Sequence, residues 1–193
     1  MPFVNSIDWE DSTAIREATA RGRKPRAMPP IVSRRAAQRE IADRLGVPVG
    51  TEMVARRQEW FLDDLPWKMQ TVWCPTARFE EGAHRLLMAE DIAEGVGSYL
   101  YSVLGLNPAG GTFYFLPRKP NSEEIRFFGF PDDNGAPYVI ELVRTASVAY
   151  AGGSRPLYLT LGVYAGDRNR FESSWPMPRS DPRTVVTYPS RIR

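Results

Sequence analysis

The 193-residue chain has a single cysteine, Cys74, and a single histidine, His84. One thiol excludes an intrachain disulfide and any multi-cysteine zinc site. One imidazole, set in EGAHRLLM where it reads as a helix-surface residue, argues against Ser-His-Asp or Cys-His nucleophilic catalysis. There is no run of eighteen or more apolar residues and no charged-then-apolar leader, so a soluble, cytoplasmic protein is expected. P-loop, dinucleotide and zinc-ligand spacings are missing, as are internal repeats, and no cofactor is expected. The net charge of +2 is too small for a protein that coats nucleic acid. Basic residues do gather early, at Arg16, Arg21, Arg23, Lys24, Arg26, Arg34, Arg35, Arg39 and Arg44. They read as a solvated linker and helix face rather than a phosphate-binding strip.

Apolar and flat side chains are plentiful. The hydrophobic fraction is 42%, and five Trp, eight Tyr and nine Phe exceed what a small core needs, leaving some to wall a cavity. Residues 1–30 read as an arm: Asp8 to Arg21 predicts a short helix, and RGRKPRAMPP then interrupts regular structure, because prolines supply no backbone donor. The folded domain is expected over residues 31–175, and residues 176–193, rich in proline, read as an irregular tail. Within the domain, Ser33 to Leu45 predicts a helix stopped by Gly46. Met53 to Leu62 and Trp67 to Cys74 predict a strand pair around the turn DDLP. Arg78 to Met88 and Asp91 to Leu104 predict helices, Thr112 to Leu116 a short strand, and Pro120 to Phe128 a helix capped by Asn121 or Ser122. Tyr138 to Tyr150 and Leu157 to Tyr164 predict long strands. Strand pairs mixed with helices, without βαβ alternation, predict an α+β fold with a mostly antiparallel sheet flanked by helices.

Several motifs recur in a fixed order: IADRLGVPVGT from Ile41, RRQEWFLDDLP from Arg56, QTVWCP from Gln70, RKPNSEE from Arg118 and AGDRNRF from Ala165. Their order and spacing resemble the UTRA domain, the small-molecule sensor of GntR/HutC-type transcription regulators. That resemblance implies a chorismate lyase-like fold with a ligand site between the sheet and its loops, and a homodimer. IREATARGRKPRA (Ile15 to Ala27) resembles the connector that follows the winged helix-turn-helix of full regulators. Only fourteen residues precede it, too few for a winged domain, so this chain is expected not to read an operator by itself. It is either an excised sensor or a stand-alone relative.

Family members that bind phosphorylated sugars carry an arginine pair spaced R-x-R on the first strand, where two guanidinium forks grip one phosphate. Counted back from Pro66, Gln58 and Trp60 stand at those positions, which disfavours a strongly anionic phosphate ligand. Alternation puts Gln58, Trp60 and Leu62 on one sheet face, with Lys68, Gln70 and Val72 as a matching set on the next strand. The opposite set, Trp67, Met69, Thr71 and Trp73, reads as the better core face. Tyr158, Thr160 and Tyr164 on the last long strand complete the candidate ligand-binding set. The expected ligand is flat and partly apolar, held between aromatic rings with directional bonds from Gln58 and Gln70. No catalytic or metal-ligating residue is assigned. Cys74 reads as a small buried filler, Asp63-Asp64 and Asp132-Asp133 as turn formers, and Asp167–Arg168 as a structural pair. The alternative function is a stand-alone, cofactor-independent cyclase or lyase acting on an aromatic or polyketide-like intermediate.

Overall fold

The computed structural model describes residues 3–6, 11–131 and 135–172. The expected tail at 176–193, the Asp132-Asp133 turn and the first residues of the Asp8 helix lie outside these. In chain order the elements are β1 (Phe3–Ser6), α1 (Asp11–Ala20), β2 (Pro25–Ala27), β3 (Ile31–Ala36), α2 (Arg39–Leu45), β4 (Glu52–Leu62), β5 (Leu65–Pro75) and α3 (Ala77–Glu80). A 3-10 turn (His84–Leu87) follows, then α4 (Val96–Val103), β6 (Pro108–Arg118), α5 (Ser122–Phe128), β7 (Val139–Tyr150), β8 (Gly153–Ala165) and β9 (Asn169–Glu172).

The main sheet runs β2-β4-β5-β8-β7-β6, with β3 sharing the outer edge of β4. Its pairings are antiparallel throughout, whereas β1 and β9 form a separate parallel pair. This is the expected α+β class. The DD turn between β4 and β5 holds both Asp63 (φ 51) and Asp64 (φ 63) in the left-handed region, the geometry a two-residue hairpin loop demands.

Helices α2 and α5 cover one face of the sheet. Ile41, Ala42 and Leu45 of α2 pack with Met53, Val143 and Leu159, while Phe128 of α5 packs with Met69, Val139 and Ala165. The opposite face carries Val54, Val72, Cys74, Ala146 and Tyr158 against Leu86, Ile92, Tyr99 and Leu100. The second face is therefore only partly closed by α4 and the 3-10 turn.

Three expectations about elements are corrected. Residues 31–36 are a strand, and the helix starts only at Arg39. The free edge of β4 captures this segment in register from Ile31↔Arg57 to Ala36↔Glu52, and this pairing overrides its helical periodicity. The two expected helices after β5 are cut short, the first at Gly82 (φ 114) and the second by Gly95 (φ 87), conformations that L-residues avoid. The segment expected to be irregular before residue 30 forms β2, in register with Leu62, Phe61 and Trp60. Asp63 secures it: the Lys24 N–H donates to Asp63 Oδ1 at 2.7 Å and Arg23 pairs with the same carboxylate. These bonds, the Lys24 N–H first, hold the Asp63 carboxyl below its usual range.

The RKPNSEE motif is a structural lock. Asn121 Oδ1 accepts from the Glu123 and Glu124 N–H groups, and Glu124 reaches back to the Asn121 N–H at 2.8 Å, a reciprocal capping box. Arg118 at the end of β6 donates to both oxygens of Glu124, at 2.7 and 2.6 Å, and also pairs with Glu141 of β7. The hydrogen bonds that Arg118 donates to Glu124 raise its pKa, outweighing its desolvation. Glu124→Ala is expected to cost about 2–3 kcal/mol, since it leaves Arg118 half-compensated and unmakes the cap. Urea unfolding checks this, and an unchanged midpoint would show that the motif is not a lock.

Candidate functional site

Strand register alone assembles the site. Across β4, β5, β8 and β7 three rows run side by side: Arg56–Val72–Thr160–Arg144, Gln58–Gln70–Gly162–Leu142 and Trp60–Lys68–Tyr164–Ile140. Tyr158 follows on the same face, beside Ala146. Every residue of the expected set thus lies on the sheet face opposite α2 and α5.

A cavity of about 30 Å³ opens on this face, lined by Gln58, Trp60, Gln70 and Val72 from the sheet. Asp91, Ile92, Ala93, Gly95 and Val96 close it from the α4 side, Ile15 of α1 closes it from the arm, and Arg56 completes the wall. The volume suits one water molecule. Trp60 is 7% exposed, and its Nε1–H has no hydrogen-bond partner. A buried indole donor left this way costs about 1–3 kcal/mol. Gln58 Nε2 donates to Asp91 Oδ1 and to the Met28 carbonyl, both at 3.0 Å. Lys68 is 1% exposed; its Nζ donates to Gln70 Oε1 at 2.8 Å and sits 5.0 Å from the Trp60 ring and 5.4 Å from the Trp67 ring.

The other expected residues lie further out. Tyr158 belongs to the core, where its hydroxyl occupies the space a side chain at Gly97 would need. Thr160 is buried with its Oγ1 unpartnered, and Tyr164 meets Phe171 edge-on at 4.9 Å. Trp67, assigned by alternation to the other face, instead joins Trp60, Leu62 and Ala18 in one cluster beyond a register shift at Trp60/Phe61.

Sequence reasoning missed Arg56. It is 5% exposed, and it donates to the carbonyls of Arg85 (3.2 Å), Leu86 (2.8 Å), Met88 (2.6 Å) and Glu90 (2.7 Å). Burial lowers its pKa, and the Asp91 charge partly offsets this. An arginine on a strand position facing a core was the available signal, since such a charge stays buried only when its donors are spent. Asp91, Ile92, Gly95 and Val96 were read as parts of a continuous helix, which hid their role as a wall.

Neither Cys74 nor His84 lines the cavity. Burial pushes the Cys74 thiol up to about 12, and its Sγ faces the Leu157 carbonyl at 4.0 Å. His84 is exposed. Asp167 and Arg168 pair with each other at 3.0 and 3.1 Å, as expected of a structural pair. No cluster of metal-ligating side chains occurs among the described residues, and none of the helices they form is long and apolar enough to cross a membrane.

A family model for the UTRA domain matches residues 20–170. The chain belongs to the UTRA family. Its fold is shared with the effector domain of PhnF from Mycobacterium smegmatis, at 17% identity and TM-score 0.71 over 90% of this chain and 99% of that one. A GntR-family transcriptional regulator from Bacillus cereus is also similar, at 18% identity and TM-score 0.60 over 86% and 99% of the two chains. So is the C-terminal domain of Yurk from Bacillus subtilis, at 14% identity and TM-score 0.67 over 90% and 100%. No curated protein matches the chain. This UTRA domain therefore resembles, in fold, the effector domains of GntR-family regulators.

Two outcomes test the site's framework. Arg56→Met is expected to cost about 3 kcal/mol by urea unfolding and to speed amide exchange across residues 85–96, because four carbonyls lose a charged donor. An unaltered midpoint would contradict the anchoring role. Folded Cys74 keeps its proton up to about pH 12 while the unfolded thiol ionises near 9. Stability is therefore expected to fall as pH rises from 9 towards 12, and Cys74→Ser should flatten that slope. Equal slopes would contradict it.

Proposed function

We propose that this chain is the small-molecule-sensing domain of a GntR/HutC-type regulator, with its ligand held against the face formed by Gln58, Trp60, Lys68, Gln70, Val72, Tyr158, Thr160 and Tyr164. The Trp60 N–H carries this reading: a buried donor at the wall of a cavity, with no partner of its own, is a place prepared for an acceptor from outside. Val72, Ile92 and Val96 supply apolar walls, and the Gln58 and Gln70 amides supply direction, which suits a flat, partly apolar ligand. A metabolite-sized ligand needs about 300 Å³ or more, so binding entails movement of one wall. The domain works as a homodimer in the cytoplasm and contributes to transcription control by acting on the DNA-binding half of such a regulator. A cyclase or lyase acting by orientation, with Gln58, Lys68, Gln70 and Tyr164 as its polar groups, would use the same face, so turnover of the ligand separates the two readings.

The test is thermal stabilisation by a panel of flat, partly apolar metabolites that bear a hydrogen-bond acceptor. A true ligand is recovered unchanged. Its affinity falls roughly 3–10-fold in Trp60→Phe, which deletes one hydrogen bond while keeping a ring, and further in Trp60→Ala. Stabilisation that ignores both substitutions would place the ligand elsewhere, and turnover of the ligand would favour the enzyme.

A further inference from the structure

We infer that α1 is a displaceable wall of the ligand site: helix and ligand compete for the space over Trp60, so that ligand entry undocks the helix. This rests on the reading of the site proposed above and says which wall yields.

Two covers meet over the cavity, and they are held very differently. The segment ahead of Asp91 is tied to the sheet by the four Arg56-to-carbonyl bonds. Helix α1 places Ile15, half-buried, at the cavity and buries Ala18 against Trp60, Leu62 and Trp67. Its docking also strands polar atoms on both sides. Glu17 Oε2 is covered and unpartnered, as is Trp60 Nε1. Either group regains a partner when the helix lifts, Glu17 from water and Trp60 from an acceptor on the ligand, so departure costs less than the apolar contact alone implies.

On its C-terminal side the chain is arranged for the helix to move without the main sheet, while on the other side β1 is paired with β9 outside that sheet. Gly22 (φ 74) ends α1, with its N–H donating to the Thr19 carbonyl at 2.9 Å. Directly after it, Arg23 and Lys24 are bound to Asp63, the Lys24 carbonyl accepts from the Asp63 N–H at 3.1 Å, and β2 pairs with β4. Motion of residues 11–20 stops at this clamp and leaves the sheet paired. With α1 lifted, the site opens directly above Trp60, Gln58 and Gln70.

The experiment uses 6-propionyl-2-(dimethylamino)naphthalene, a flat, uncharged probe with a carbonyl acceptor, on the full chain labelled with 5-fluorotryptophan, the Trp60 signal being assigned by Trp60→Phe. Saturating probe is expected to shift the Trp60 resonance and to speed amide exchange in residues 11–20 about ten-fold. Ile15→Asp should tighten probe binding about ten-fold. Glu17→Leu, which removes the stranded carboxylate and extends the apolar contact, should weaken it by a similar factor. Linkage requires that whatever favours the undocked helix favours the probe equally. A shifted Trp60 signal with unchanged exchange in residues 11–20 and equal affinities in both variants would overturn the inference and leave the sensor reading standing. A probe that moves neither Trp60 nor the helix, in the parent or in Ile15→Asp, would overturn both. Glu17→Leu keeps the test decisive if Ile15→Asp fails to fold by circular dichroism.

Discussion

Arg56 holds its charge inside the protein by spending its guanidinium on main-chain oxygens, and much of the site depends on that exchange. A buried cation without partners would cost several kcal/mol. Here four carbonyls between residues 85 and 90 are gathered around it, so a stretch with little regular structure acquires a defined path across the sheet. That path delivers Asp91 to the Gln58 amide and sets Ile92, Gly95 and Val96 over Val72. Within the UTRA frame, Arg56 of β4 therefore builds the wall, and the neighbouring Gln58 and Trp60 line the cavity beside it.

What could be read in the sequence followed from whether the information was local. Two-residue alternation grouped Gln58 with Trp60 and Lys68 with Gln70 and Val72 because strand pleat is a local property, and the register then brought Tyr158, Thr160 and Tyr164 onto the same face. Alternation failed at Trp67, next to a register shift that no periodicity reports. It could not separate Tyr158 as core from Trp60 as cavity wall, since that depends on Gly97 approaching one and not the other. The strand at 31–36 was hidden because its stability comes from β4, some twenty residues downstream. Likewise the arm looked unable to fold because its partners, Asp63 and Trp60, are distant in sequence.

The motifs that carried the family resemblance turn out to do mainly architectural work. Arg118, Asn121 and Glu124 join β6 to α5 and, through Glu141, to β7. Asp167 and Arg168 pair beside the end of β8, with the guanidinium 5.4 Å from the Phe130 ring. Shared spacing thus reports a shared scaffold. The positions where the pattern departs, with an indole and an amide in place of an arginine fork, line the cavity instead.

The clamp at Asp63 has a mechanical consequence. A ten-residue helix is about 15 Å long, and α1 is pinned at its C-terminal end only one turn from the hairpin. Released at Ile15, it behaves as a lever with its fulcrum near Gly22. A shift of a few ångströms beside the pocket then becomes roughly one and a half times that at the helix's opposite tip, with the hinge beside the β4–β5 turn.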